Sequence, residues 1–353
     1  MNNFYLKLKK DKIPFIALCV LFLLYFLVAF ADFFAVYPST YSNRKIAYQP
    51  PSNIYLINKD NKIVHPYTYN YLKTFNKDTL SIEYKQDRTK KYKIKFFASG
   101  YEYKLFGIFK TNKHFIGCDS GCNLHILGCD INGCDVYSRL FFGGQISLTI
   151  GFLALLISFP IGAIYGGISG YIGGRTDKIL MRLAEGIMSV PSFYLLIILA
   201  SILPSNMTSN QRFALITAIL AFIGWAGFSR VIRGMVLSIK NQEYIKAIET
   251  IGADRKRIIL KHILPQTSSY VIIAITLSVP SYILAESGLS FLGLGIQLPD
   301  ASWGNMLREA QEFANILYRP WLLAPGFLIF IAVLSFNVLG DKIRDILDPK
   351  TLK

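Results

Sequence analysis

The sequence predicts an all-α polytopic membrane protein of six transmembrane helices with a small β-containing extracytoplasmic insertion. Three observations carry this. Apolar residues make up 52% of the 353 and charged residues only 17%, against roughly 25% charged in soluble domains. The apolar residues gather into six runs of membrane-crossing length. Lys and Arg outnumber Asp and Glu by 38 to 22, a net charge of +16, and much of that excess flanks the runs on one side. A disordered or acidic protein is excluded, and cationic flanks account for the charge without a nucleic-acid partner.

The first run, Ile13 to Ala31, is 19 residues long and follows Lys7, Lys9, Lys10 and Lys12. At 1.5 Å per residue it crosses a ~30 Å hydrocarbon core. Ala29 and Ala31 make an A-x-A, so a cleaved signal peptide is the alternative; the length of the run favours an uncleaved anchor. Further runs lie at Ile146 to Gly170, Ile187 to Leu203, Phe213 to Ser229, Ser269 to Leu289 and Trp321 to Leu339. With the N-terminus inside, the cytoplasmic segments hold 19 Lys and Arg, whereas the short external loops hold three, Arg212, Arg308 and Arg319. The asymmetry predicts a multi-pass plasma-membrane protein with both termini cytoplasmic. The domains follow: 1–31, a tail and first span; 32–145, an external insertion; 146–340, a five-helix core containing a cytoplasmic loop at 240–266; and 341–353, a cytoplasmic tail.

The insertion holds 16 basic and nine acidic residues, +7, which reads as a solvated surface or an electrostatic docking face. Alternation in Leu80-Ser81-Ile82-Glu83-Tyr84 and Lys91-Tyr92-Lys93-Ile94-Lys95-Phe96 predicts two half-buried strands of one hairpin, turning through Gln86 to Thr89. Cys118, Cys122, Cys129 and Cys134 crowd together beside His114 and His125. In an oxidising compartment two disulfides are expected, with three pairings open. Zinc and free thiols are the rivals, although the spacings match no zinc signature. Cys19, within the first span, reads as packing.

The cytoplasmic stretch Gln242 to Gln266 is the most informative. Tyr244, Ala247, Ile248 and Ile251 fall at i, i+3, i+4 and i+7, one apolar helical stripe. Gly252 can end that helix in the left-handed conformation, Asp254 can cap a second, and Pro265 can close the second. A short helix, a turn and a short helix are expected, with Arg255, Lys256, Arg257 and Lys261 exposed. On its own, such a segment reads as a contact with anionic lipid.

This stretch resembles the EAA loop of ABC importer permeases, with Gly252 and Leu264-Pro265 at the family's spacing. It departs at Lys246, Ile248 and His262. LGCDINGCDVYSRLFFGGQISL, VPSFYLLI, AESGLSFLGLGIQLPDASWGNML and LGDKIRDILDP are similar to segments of the C-type permease subunit in the oligopeptide/dipeptide branch. The likeness covers the first span and residue 115 onward; residues 42–112 match no motif, and Cys129 and Cys134 depart from the family segment. The resemblance implies a type I-like permease that imports short peptides. Its partners would be a second homologous permease, two cytoplasmic ABC ATPase subunits or domains, an extracytoplasmic binding protein and the lipid bilayer. Tyr244, Ala247, Ile248, Ile251, Gly252, Ala253, Asp254, Arg257, Leu264 and Pro265 would couple to the ATPases. The chain has no G-x-x-x-x-G-K-[ST], so it needs no cofactor of its own: ATP and Mg would sit on the partners.

Glu286, near the external end of the fifth run, costs on the order of 3 kcal/mol to insert at mid-membrane and is expected to face protein or water. A hydrogen-bonded structural role and a place on the translocation path are both open. Related permeases carry nickel chelates or opines, which keeps those cargoes as alternatives. An anchored metal or thiol enzyme using the Cys cluster, and a secondary carrier using Glu286, are the rivals from other classes.

Overall fold

A computed structural model describes residues 11–57, 63–77, 81–204 and 206–347. The chain divides into two units: 1–21, 148–289 and 330–353 form one, and 22–147 with 290–329 form the other. The helices that organise them are α1 (Lys12–Ala29), α2 (Val136–Ile172), α3 (Gly174–Met188), α4 (Ser192–Ser201), α5 (Ser209–Ile239), α6 (Glu243–Thr250), α7 (Ser268–Phe291) and α8 (Ala324–Leu347). Among the described residues, five helical stretches are long and apolar enough to cross a membrane: Lys12–Ala29, Val136–Ile172, Ser209–Ile239, Arg255–Phe291 and Pro320–Leu347.

The run Ile187 to Leu203 does not form the straight span expected of it. α3 ends at Met188, Pro191 starts α4, and the two helices meet at 78°. Pro191 cannot donate an amide to a continuing helix and restrains the residue before it. α4 has only 10 residues, about 15 Å of helix, too short to cross alone. α3 is strongly amphipathic, and its Asp177 accepts from Arg233 Nε and Nη2 of α5 at 2.5 and 2.6 Å and from Ser169 Oγ of α2 at 2.5 Å. α5 begins with a capping box, in which Gln211 N donates to Thr208 Oγ1 and Thr208 N to Gln211 Oε1.

α2 and α5 meet backbone to backbone. A Cβ on Gly162 would lie 2.8 Å from the Trp225 carbonyl oxygen, on Gly166 2.3 Å from that of Ser229, and on Gly170 2.8 Å from that of Arg233. Small residues at this spacing permit such an approach in lipid, where packing rather than the hydrophobic effect holds helices together. The ends of the unit's chain also meet, through a Lys342–Asp11 ion pair.

In the other unit, β1 (Tyr55–Ile57), β2 (Ile63–Thr68), β3 (Tyr71–Asn76), β4 (Ser81–Gln86), β5 (Tyr92–Leu105) and β6 (Phe109–Cys118) make two antiparallel ladders. One is ordered β1-β2-β5-β6 and the other is β3-β4. The expected strands are present, although Leu80 lies outside the described residues, but they do not pair with each other. β4 pairs with β3, and β5 pairs with β2 and β6. The turn between them explains this: Asp87 accepts from Thr89 N and Oγ1 while its own amide donates to the Asn70 carbonyl, so the chain is tied back to the start of β3 and leaves for the other ladder. The alternation in β5 does set its faces, with Ile94 buried and Lys93 and Lys95 exposed.

The glycine contact generates a paired prediction. Gly166→Ala should destabilise the chain by about 1–3 kcal/mol through overpacking, whereas Gly186→Ala, inside α3 with no atom within 4 Å of its new methyl, should hold stability or raise it by up to about 1 kcal/mol. Unfolding of the two variants in bilayer discs compares them; equal stability would contradict the packing account.

Candidate functional site

The loop after α5 has two faces. Gln242 is the N-cap of α6, and one turn later Ile245 is fully buried. Ile258, Ile259 and Ile263 are buried beyond the turn. Tyr244, Ala247 and Ile251 are exposed, Ile251 by 85%, and Ile248 is half-buried. The expected stripe therefore stays open to a partner, while Ile245, one residue out of phase and absent from the sequence-based set, is the anchor to the rest of the chain. Arg255, Lys256, Arg257 and Lys261 are exposed around it.

The turn between the two faces is fixed by Gly252, whose φ is +83°. Its amide donates to the Glu249 carbonyl at 2.9 Å and that of Ala253 to Ile248 at 3.3 Å, the paired bonds of a Schellman motif. Asp254 follows as an N-cap without a side-chain bond. The expected second short helix is not separate. Helical backbone runs from Arg255 through a π segment, Ile258–Ile263, and a 3₁₀ turn, Leu264–Thr267, directly into α7. Pro265 is the cause: it has no amide to give to an α-helical ladder, and the neighbouring π and 3₁₀ turns absorb the missing bond.

Side-chain bonds tie the loop to the α2 end. Lys240 Nζ donates to the Gly170 carbonyl at 2.8 Å and Tyr171 Oη to Glu249 Oε1 at 2.6 Å, while a methyl on Gly167 would sit 3.3 Å from both Ile259 and Leu264. Within the same unit a cavity of about 950 Å³ is bounded by residues such as Phe159, Leu196, Phe228, Tyr270 and Tyr282. Glu286 is fully buried, accepts from Ser287 Oγ at 3.4 Å, and is not part of that cavity's wall.

The cysteine cluster corrects the expectation of two disulfides. Cys118 and Cys122 are bonded, while Cys129 and Cys134 are free and buried. Cys129 bridges Asp135 in antiparallel register and Asp130 N donates to the Cys134 carbonyl, so the two thiols leave adjacent rungs on opposite faces. Burial, reinforced by Asp135, pushes the Cys129 thiol up, which makes it a poor nucleophile. His125 Nδ1 bonds Asp135 Oδ1 at 2.8 Å, and Asp135 Oδ2 accepts from Ser138 N and Oγ, a fully buried brace. His114 is spent on the carbonyls of Asp32 and Tyr101.

Two of the motif segments close on each other in this unit. Trp303 is fully buried; its Nε1 donates to the Leu140 carbonyl at 2.9 Å and its amide to Ser147 Oγ at 3.0 Å. Beside them, Asp130, Arg139 and Glu309 border a cavity of about 570 Å³. Burial, with Asp130 nearby, pushes the Glu309 carboxyl from 4.5 up to about 7. No sequence pattern pointed to Glu309, because its partners come from residues 130–139.

Residues 158–353 match the family described as binding-protein-dependent transport system inner membrane component, and residues 2–51 match the N-terminal TM domain of oligopeptide transport permease C. The chain is similar to a dipeptide transport system permease protein of Bacillus subtilis, with 45% identity over 64% of this chain and 69% of the relative. An oligopeptide transport system permease protein of the same organism is 42% identical over 65% and 73%. One from Haemophilus influenzae is 43% identical over 64% and 70%. The two-faced loop lies inside the first matched region, and the strand-bearing segment lies outside both.

A pH dependence follows from Glu309. Its carboxyl is raised in the fold, so its contribution to stability is complete below 4.5 and is lost as pH rises through about 7. Thermal unfolding of the wild type should fall across that window, and Glu309→Gln should flatten the fall. A wild-type profile already flat there contradicts the assignment.

Proposed function

Because the chain belongs to the family of binding-protein-dependent transport system inner membrane components, we propose that it is the C-type permease subunit of an ATP-driven importer of short peptides. It is a multi-pass membrane transport component and not an enzyme. The peptide cargo is supported by relatives named for dipeptide and oligopeptide transport; nothing favours nickel chelates or opines, and neither the thiol-enzyme nor the secondary-carrier reading gives the loop after α5 a task. Counting the bent α3–α4 pair as one span gives six, with both termini in the cytoplasm.

The observation that carries the reading is the loop itself: exposed Tyr244, Ala247 and Ile251 on a helix whose opposite side is anchored by buried Ile245. A cytoplasmic ATPase can grip the open face, and the anchored face passes its displacement to α2, α5 and α7. An apolar knob with a basic rim suits such a grip: Ile251 supplies burial, and Arg255 to Arg257 supply orientation. The further partners are a second homologous permease, a second ATPase subunit or domain, and an external binding protein. ATP and Mg are held by the ATPases. The apolar cavity against α4, α5 and α7 is this chain's half of an alternating-access path, and Glu286, outside its wall, is a structural group.

Substitutions at the turn test the coupling. Gly252 has open space around it, so only its backbone is at stake. Gly252→Val should strain the turn by about 1–2 kcal/mol and uncouple ATP hydrolysis from uptake, whereas Gly252→Asn, which tolerates positive φ, should retain much of the coupling. Ile251→Asp should abolish ATPase capture without loss of fold. Reconstituted uptake alongside ATPase rates, with crosslinking from position 251, reads all three. Uptake without an ATPase partner, or full coupling in Gly252→Val, would refute the proposal.

A further inference from the structure

The strand-bearing insertion carries an apolar surface that the transport reading leaves unused. β5 and β6 form a long hairpin whose tip, Phe106-Gly107-Ile108-Phe109, is exposed, with Ile108 at 74% and Phe109 at 67%. An apolar tip of this kind is unfavourable in water. Phe106 is also held at φ +51°, a conformation that Asn or Gly adopts readily and a bulky aromatic rarely does. Strain at an exposed aromatic points to a use for the side chain.

The direction of the hairpin says what the use is. Progressing toward its tip, its contacts step back along the chain that leaves α1. Phe97 lies 6.1 Å from Phe33, Tyr101 Oη donates to Asp32, and Phe106 lies 5.1 Å from Phe30. The aromatic row then continues into α1 itself, Phe30 to Phe26 at 4.9 Å and Phe26 to Phe22 at 6.5 Å, with Phe22 and Phe26 exposed. The tip is therefore continuous with the outward side of a membrane-crossing helix, at the end where that helix emerges. Immediately behind the tip, Lys104 and Lys110 are exposed and paired directly across the ladder. Like charges so placed repel, and an anion between them relieves the repulsion.

We propose that the β5–β6 tip inserts into the leaflet from which α1 emerges, with Phe106, Ile108 and Phe109 at the acyl boundary and Lys104 and Lys110 binding anionic phospholipid headgroups. Aromatic and aliphatic side chains below a pair of lysines suit the membrane interface, where apolar burial and attraction to anionic lipid add. The hairpin is thus a second membrane attachment for the insertion. This rests on the reading of α1 as a span.

The test is a nitroxide on the full-length chain in phosphatidylcholine vesicles, with and without phosphatidylglycerol. It is placed at Ile108→Cys, at Phe22→Cys as a span control and at Lys90→Cys as a water control, each in a Cys19→Ser background. Position 108 should relax more with dissolved oxygen than with a water-soluble nickel chelate, as 22 does and 90 does not. Phosphatidylglycerol should raise that ratio at 108, and the Lys104→Gln/Lys110→Gln pair should lose the increase. Nickel access at 108 equal to that at 90, with 22 still in lipid, overturns the proposal. So does exclusion of both relaxants at 108, the signature of cover by a protein such as an external binding protein. Nickel access at 22 would overturn the span reading, and the proposal with it. An undiminished lipid response in the double variant would overturn the role of the lysines.

Discussion

The close approach of α2 to α5 is the constraint on which the rest of the first unit depends. With glycine at 162, 166 and 170 the two backbones touch, and the bonds that position the loop after α5 start from the end of that contact. Lys240, at the end of α5, donates to the carbonyl of Gly170, and the next residue of α2, Tyr171, bonds Glu249. The loop is thus fastened to the same seam that fixes two membrane-crossing helices. α6, α2 and α5 are thereby held as one piece, because packed helices do not deform continuously. The Asp177–Arg233 pair extends the same rigidity to α3. Its two short bonds and its Ser169 donor satisfy a carboxylate that is only slightly open to water, and a pair this well satisfied orients helices more than it stabilises them.

Where local chemistry decided the structure, the sequence could be read. The left-handed Gly252, the buried Ile94 between exposed lysines and the capping box at Thr208 are consequences of one residue or a fixed spacing. So were the long apolar helices, although a hydropathy run cannot distinguish a straight span from the α3–α4 elbow, since Pro191 breaks the backbone without lowering hydropathy. Readings failed where the answer depended on distant partners. The hairpin expected between residues 80 and 96 was reassigned by Asn70 binding the turn at Asp87, a contact no window contains. Ile245 was missed because an eight-residue helix offers two apolar phases, and only the approach of α6 to the segment Ile258–Ile263 chooses between them. The thiols of Cys129 and Cys134 are near in sequence and diverge because a single β-bridge sets them on opposite faces.

The glycine seam lies within the matched residues 158–353, and the strands lie outside both matched regions. The glycine seam and the Trp303 knot are places where an added side-chain atom meets backbone or a buried ring. Trp303 illustrates it: its ring rests near Gly143 and Gly144, where an added Cβ would lie 3.3 and 3.0 Å from the indole, while its indole N–H and amide are both bonded. The insertion between the matched regions is built differently. Outside the buried His125–Asp135–Ser138 brace it is held by ring stacking and by single hydrogen bonds such as Tyr84 Oη to the Ala47 carbonyl and Tyr55 Oη to Gln86. Its one disulfide closes a loop of only a few residues, and short loops remove little entropy from the unfolded chain.

A segment held this lightly gains from an external attachment. Two-stranded hairpins are marginal in water on their own, and the outer half of β5–β6 leaves only one neighbour to each strand, since the described β2 partners of β5 reach no further than Lys93. What keeps that half in place within the chain is the contact of Phe97, Tyr101, His114 and Phe106 with the four residues that follow α1. Those residues are themselves fixed by the helix that precedes them. The outer half of the hairpin therefore takes its orientation from residues 30–33, the segment that follows α1.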